Sequence, residues 1–425
     1  MALTVYKANI AYTPSMERFE LRPGGYVAVE DGRVEGVYST LPSRFKGRPV
    51  EDLGDRFLIP GFTDLHLHAA QYPNMGIGYD CELLPWIEKY TYPIENRCED
   101  LAYSAKMFAA LIKELWRFGI TRCVIMAPPC TGAVDILMEQ FIRSGLGCYV
   151  GKRHTDYKLN NYPCEDTDAS LAGARYLITK YEGKSPFVRY MLNPSFAPGC
   201  TERMLEEVGR MAAALRLPVH SHLDENRNEV QLVARRFPHD PHYAGVYIRH
   251  GLFGDTPTVM AHCIYTTEDE VKAIRDRGVY VAHCIHSNLD LASGVMPLRR
   301  YLKEGIHVGL GSDIAGGHTL NMMDTIRAVI EASKTVFVQE ESCPPITVSE
   351  AFYLATKGGG SFFGKVGSFE PGYVFDALVV DDRSLLNDYI DRSLQERLER
   401  FLYLGDDRQI IRRFVAGREI PEPVL

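Results

Sequence analysis

The stretch Ile59–Gln71, IPGFTDLHLHAAQ, decides how the rest of the chain is read. Its apolar run ends in two histidines at i and i+2, and in a strand such positions share one face. His66 and His68 can therefore grip one metal ion together. A strand-end histidine pair has an ordinary explanation in hydrogen bonding, so the metal reading depends on what stands at the ends of the other strands.

Seven further apolar segments follow, each succeeded by an amphipathic helical stretch: 120–128, 146–153, 187–194, 217–223, 257–263, 279–285 and 307–313. With 58–68 they make eight strand–helix units in about 300 residues. Residues 100–118 carry apolar side chains at helical spacing with Gly119 as a stop, and Thr201 is placed to cap a helix over 202–215. No phosphate-binding G-x-G-x-x-G follows the first strand. The pattern predicts an α/β protein with a (β/α)8 barrel rather than a doubly wound sheet.

The ends of the chain read differently. Residues 3–13 and 26–40 look like strands, the second folded at Asp31-Gly32, and 375–380 and 410–420 supply matching material with a turn at Ala416-Gly417. The expected organisation is a small β-sandwich domain built from 1–58 and 369–425, flanking a barrel at 59–368.

Composition narrows the class. At 425 residues, 46% hydrophobic, 24% charged and with net charge -8, the chain reads as a globular protein that does not bind nucleic acid. Neither a signal peptide nor a membrane span is apparent. Ten cysteines are scattered singly, which suits reduced thiols and a cytoplasmic location. Cys263 and Cys284, each following a histidine, read as packing residues.

Barrel chemistry sits at the C-terminal ends of the strands. There the sequence places His66 and His68 on strand one, His222 on strand five, His262 on strand six and Asp313 on strand eight. Each alone could be a cap or a satisfied core histidine; jointly, imidazoles and a carboxylate at one rim suit zinc. Glu225, three residues after His222, can pass a proton from water to a substrate. Asp224 reads as a helix cap and His220 as a residue behind the metal or beside the substrate.

These residues resemble the amidohydrolase superfamily, and within it the guanine deaminase family. The resemblance runs through PGFTDLHLHAAQY, LLPWIEKYTYPIE, HSHLDENRNEV, VMAHCIYTTEDE, AHCIHSNLDLASG, GLGSDIAGGHTLNMMDTIR and FLYLGDDRQI. It implies a hydrolase of purine catabolism, a homodimer acting on a small heterocycle, with one Zn2+ per chain, or Fe2+ in its place. By position, His66, His68, His222 and Asp313 would hold the metal, His262 would be a further ligand or polarise the water, and Glu225 would shuttle the proton. Gln71 would read the purine edge and Phe196 would stack on the ring, with Trp86 and Tyr90 helping to close the pocket.

Two departures accompany it. Ser195 stands where the family carries an arginine, and Ile285-His286 alters the end of strand seven. Arg189, His220 or His286 could replace the missing donor, or the ring could be a pterin, 8-oxoguanine or s-triazine. A two-metal site would need a lysine after strand four; residues 193–196 have none, and Lys152 lies after strand three. The H-x-E and P-C-x-x-C signature of cytidine-type deaminases is absent. A catalytically silent binding scaffold would have lost ligands, and all are retained.

Overall fold

The computed structural model describes residues 3–159, 164–385 and 390–425. The chain opens with four strands, β1 (Leu3–Ser15), β2 (Arg18–Glu30), β3 (Arg33–Tyr38) and β4 (Val50–Pro60). Nine more follow through the middle of the chain: β5 (Phe62–His68), β6 (Ile120–Ala127), β7 (Gly147–His154), β8 (Val188–Tyr190), β9 (Asn193–Pro194), β10 (Val219–Leu223), β11 (Thr258–His262), β12 (Tyr280–His283) and β13 (Val308–Leu310). The chain returns with β14 (Ala377–Val380), β15 (Ile410–Val415) and β16 (Arg418–Glu419).

The middle strands are parallel. One sheet runs β5-β6-β7-β8 with β9 on β7, and a second runs β10-β11-β12-β13. Every residue of β5, β6 and β10 is buried, as expected when both faces of a parallel sheet are covered and hydrophobic alternation disappears. The two sheets meet at both edges. Leu192 N donates to Pro218 O and His220 N to Leu192 O, each at 2.9 Å, while Asp313 N donates to His66 O at 2.8 Å and His68 N to Ile314 O at 2.9 Å. β13 approaches β5 so closely that a Cβ on Gly309 would lie 2.6 Å from Leu65 Cδ1. The glycines of GLGS are thus a steric requirement of that contact.

The helices between strands follow their caps. Leu101–Arg117 starts on Asp100, which accepts from Ala102 N and Tyr103 N, and Glu202–Leu215 starts on Thr201, which accepts from Met204 N. Among the described residues no helix is long and apolar enough to cross a membrane.

Both termini join one sheet, in the order β16-β15-β14-β4-β1-β2-β3. The expected strand over 58–68 is therefore two strands broken at Gly61, with β4 belonging to this sheet and β5 to the parallel layer. In place of two separate layers, the hydrogen-bonded ladder is continuous, because β4 pairs with β1 on one side and β14 on the other. The sheet curls strongly. Tyr6 on β1 and Phe414 on β15 are three strands apart, about 14 Å in a flat sheet, yet their ring centres are 5.4 Å apart.

Candidate active site

The C-terminal ends of β5, β10 and β11 and the turn after β13 bring four imidazoles and two carboxylates into one buried cluster. Three of the imidazoles are anchored from behind through Nδ1. His66 faces His220 Nε2 at 2.5 Å, His222 donates to the Ser195 carbonyl at 2.6 Å, and His262 bonds Asn288 Oδ1 at 2.9 Å. Each anchor turns Nε2 inward. Nε2 of His68 lies 3.1 Å from Nε2 of His222 and 3.3 Å from Asp313 Oδ1; Nε2 of His66 lies 3.0 Å from the same oxygen. His262 Nε2 is 3.6 Å from Asp313 Oδ2 and 3.3 Å from Glu225 Oε2.

The backbone is held in the left-handed region at Asp224 (φ 52°), His262 (φ 74°), Cys263 (φ 50°) and Asp313 (φ 48°), all at these strand ends. Strain of this kind aims side chains that regular strands would direct elsewhere. A Cβ on Gly316 would lie 2.5 Å from Ser287 Oγ and 3.1 Å from Asp313 Oδ2, so the DIAGG turn packs directly behind the aspartate.

Electrostatics sort the cluster. Burial pushes His66 down to about 4 and His222 well below the usual histidine range, so both rings are neutral near pH 7. Burial alone would raise Asp313, but the neighbouring His66 and His68 hold it well below the carboxylate range. Glu225 is pushed well above that range by burial and then by the charges of Asp313 and Glu229. The result is a nest of lone pairs with few protons between them: His66 Nε2, His262 Nε2 and Glu225 Oε1 make no hydrogen bond. Ring nitrogens of His66, His68 and His222 all lie within 4.8 Å of one another, as do donor atoms of His66, His262, Cys284 and Asp313. Such a donor set fits a divalent cation of zinc type, which takes neutral imidazole and carboxylate at ~2.0–2.2 Å.

Beside the cluster is a cavity that opens partly to solvent. Gln71, Trp86, Ser195, Phe196 and Glu225 line it, as does Arg153 from the end of β7. Tyr92 packs on Phe196, and Trp86 is fixed by an Nε1 bond to Ile77 O at 2.9 Å. Gln71 donates to Glu95 Oε1 at 3.1 Å and accepts from Ala315 N at 3.4 Å; the second oxygen of Glu95 pairs with Arg153. Residues 57–420 match the amidohydrolase family.

The chain belongs to the amidohydrolase family. Across 98% of its length this amidohydrolase is 31% identical to the guanine deaminase of Dictyostelium discoideum, of which it covers 98%. It is 33% identical to the guanine deaminase of Escherichia coli K12 over 94% of this chain and 91% of that one. A crystal structure of guanine deaminase from C. acetobutylicum with bound guanine superimposes with a TM-score of 0.96 at 43% identity, covering 99% of this chain and 100% of that one.

Several expected positions differ in this amidohydrolase. Arg189 is exposed beside Tyr149, His220 backs His66, and His286 packs on His318; none of the three lines the cavity. Tyr90 is not in the lining either, its ring lying over Gly78. Asp224 is not the cap of the next helix: Arg227–Arg236 starts on Asn226, in a capping box with Glu229. Lys152 turns away from the cavity, donating to Ser170 Oγ at 3.0 Å and pairing with Glu165.

The residue the sequence reading overlooked is Arg153. Among the described residues lining the cavity it is the sole arginine or lysine, and it is only 3% exposed. Strand parity was the available signal: in β7 adjacent side chains take opposite faces, so if Lys152 faces the helices, Arg153 faces the site.

Proposed function

We propose that this chain hydrolyses guanine to xanthine and ammonia. The carrying observation is the juxtaposition of the inward-facing histidine–aspartate cluster, the buried Glu225 and a cavity lined by Phe196 and Arg153. The guanine deaminase relatives support the same reading. In it, residues 59–368 form a (β/α)8 barrel, and the two chain ends form a small β domain against it in which one continuous sheet curls over on itself.

His66, His68, His222 and Asp313 would hold one zinc ion per chain, with His262 beside them; zinc is preferred to iron(II) for this imidazole-rich set. When bound, such an ion acidifies water and makes hydroxide available near pH 7. Glu225 takes the water's proton and hands it to the ring nitrogen adjoining the amino-bearing carbon; the adduct's hydroxyl proton then passes through Glu225 to the amino group, whose C–N bond breaks to release ammonia and leave a carbonyl. Burial favours the protonated carboxyl, which suits delivery. His262, 3.3 Å from Glu225 Oε2, offers its inward Nε2 as an acceptor that orients the attacking water. Phe196 stacks on the flat ring. Arg153 donates to the ring carbonyl, the task Ser195 is too short for, and Gln71, held by Glu95 and Ala315, reads the adjoining edge.

With a guanidinium supplied from β7, nothing in the cavity calls for a pterin, 8-oxoguanine or s-triazine in guanine's place. The same reading makes the protein a cytoplasmic, homodimeric enzyme of purine catabolism. Incubating the zinc-loaded protein with guanine tests it: xanthine and ammonia should appear in equal amounts, and zinc-loaded, folded protein that leaves guanine untouched refutes it.

A further inference from the structure

The imidazole that the sequence adds at the end of strand seven does not face the substrate cavity. His286 instead meets His318, their ring centres 4.4 Å apart at an interplanar angle of 69°. The two come from different elements, His286 from the helix Ile285–Asp290 and His318 from the turn that follows Asp313. Asp324, in the first turn of the helix Met322–Gln339, completes a group whose donor atoms all lie within 4.8 Å of one another.

The details resemble a ligand set with its supports. His318 Nδ1 is bonded to Asp290 Oδ2 at 2.6 Å, which turns Nε2 toward Asp324 Oδ2 at 4.0 Å. A carboxylate behind an imidazole in this way fixes the ring and strengthens it as a ligand. Arg327 pairs with Oδ1 of Asp324 and leaves Oδ2 on the side of the histidines. His286 is 7% exposed, and its Nε2 has no hydrogen-bond partner. His318, at 41% side-chain exposure, has room to move and opens the site to solvent.

We propose that His286, His318 and Asp324 form a second, solvent-accessible site for a divalent transition metal, separate from the cluster of His66, His68 and His222. Two imidazoles and one carboxylate select zinc, cobalt, nickel or copper over magnesium or calcium, with water completing the shell. The cation of Arg327 stands beside the group, and the carboxylates of Asp290 and Asp324 oppose it. An ion there would bridge the helix after β12, the turn carrying Asp313 and Gly316, and the helix after that turn. It would therefore brace the wall of the cavity without contributing to the chemistry.

The test is a metal count. The intact protein is equilibrated with excess zinc sulfate, dialysed against buffered free zinc, and assayed by elemental analysis alongside His318→Ala and Asp324→Asn. Two zinc ions per chain in the native protein and one in both variants is the expected result. One or none in the native protein, or two in His318→Ala, overturns the proposal. The count is independent of turnover, so failure of the guanine reading leaves it standing. Xanthine production should be retained in His318→Ala, which separates loss of the second ion from loss of the first.

Discussion

Nδ1 of His66 and Nε2 of His220 lie 2.5 Å apart, both rings fully buried. For Nε2 of His66 to offer a lone pair to the cluster, its proton must sit on Nδ1 and be donated to His220. His220 thus sets the tautomer of a residue that would hold the metal, and it touches neither substrate nor metal itself. Replacing His220 with Ala should weaken zinc binding by about 10- to 100-fold. The conservative His220→Gln, which keeps an acceptor, should recover part of it. Competition with a chromophoric chelator reads this directly, and unchanged affinity in His220→Ala would remove the positioning role.

Glu225 is placed for proton transfer and does not complete the imidazole set. Glu225→Gln should therefore abolish xanthine formation while elemental analysis still finds the zinc of the His66–His68–His222 site. Substantial residual turnover would take the shuttle away from this carboxylate.

Arg153 is predicted to read the substrate. Arg153→Ala should lower kcat/KM for guanine by roughly 10- to 150-fold, the loss of a charged hydrogen bond worth about 1.5–3 kcal/mol. Much of the loss should appear in KM, with Arg153→Lys intermediate because an ammonium lacks the planar fork. The single change also strands the buried Glu95, so Arg153→Met with Glu95→Gln is the control for stability. If that double variant binds guanine like the native protein, Arg153 is structural only.

The pH dependence of stability should carry the mark of His154, which burial and then the charge of Lys152 hold well below the usual histidine range. Unfolded, the ring titrates near ~6.5. Below that pH the unfolded chain takes up a proton that the folded one refuses, so stability falls as the solution is acidified. The slope from this one group is about 1.4 kcal/mol per pH unit, and above pH ~6.5 it contributes none. Urea midpoints for native protein and His154→Asn should keep a constant separation above that pH and draw together as the pH drops below it; curves that stay parallel throughout would mean His154 is protonated in the folded state.

Much of this was legible in the sequence because burial leaves strong marks. Strands covered on both faces show as continuous apolar runs, and the runs at 58–68, 217–223, 257–263 and 307–313 end at the histidines and the aspartate of the cluster. Where the marks fail, the causes are particular. Val50–Pro60 carries exposed and charged residues over its first half, so its role as the strand joining both ends of the sheet left no apolar pattern. Arg153 has no mark of its own in the sequence, because it adjoins Lys152, whose side chain takes the opposite face and pairs with Glu165. The segment Tyr403–Asp407 is bound to elements remote in sequence: Arg327 donates to Tyr403 O at 2.7 Å and Arg117 pairs with Asp407 at 2.9 Å. Contacts of that range have no local signature. His286 and His318 are 32 residues apart, and only the turn after β13 puts their rings together.

Because β4 is flanked by β1 and by β14, one of its edges has no partner until the last strands have been made. A ribosome adding roughly 5–20 residues per second takes on the order of 20–70 s to travel from Pro60 to the C-terminal strands. For that interval the nascent protein displays an open strand edge, Phe57 to Ile59 among it, of the kind that templates pairing between chains. Yield during biosynthesis should depend on chaperone supply more than the stability of the finished molecule suggests, and truncations that remove β14 should make the exposure permanent.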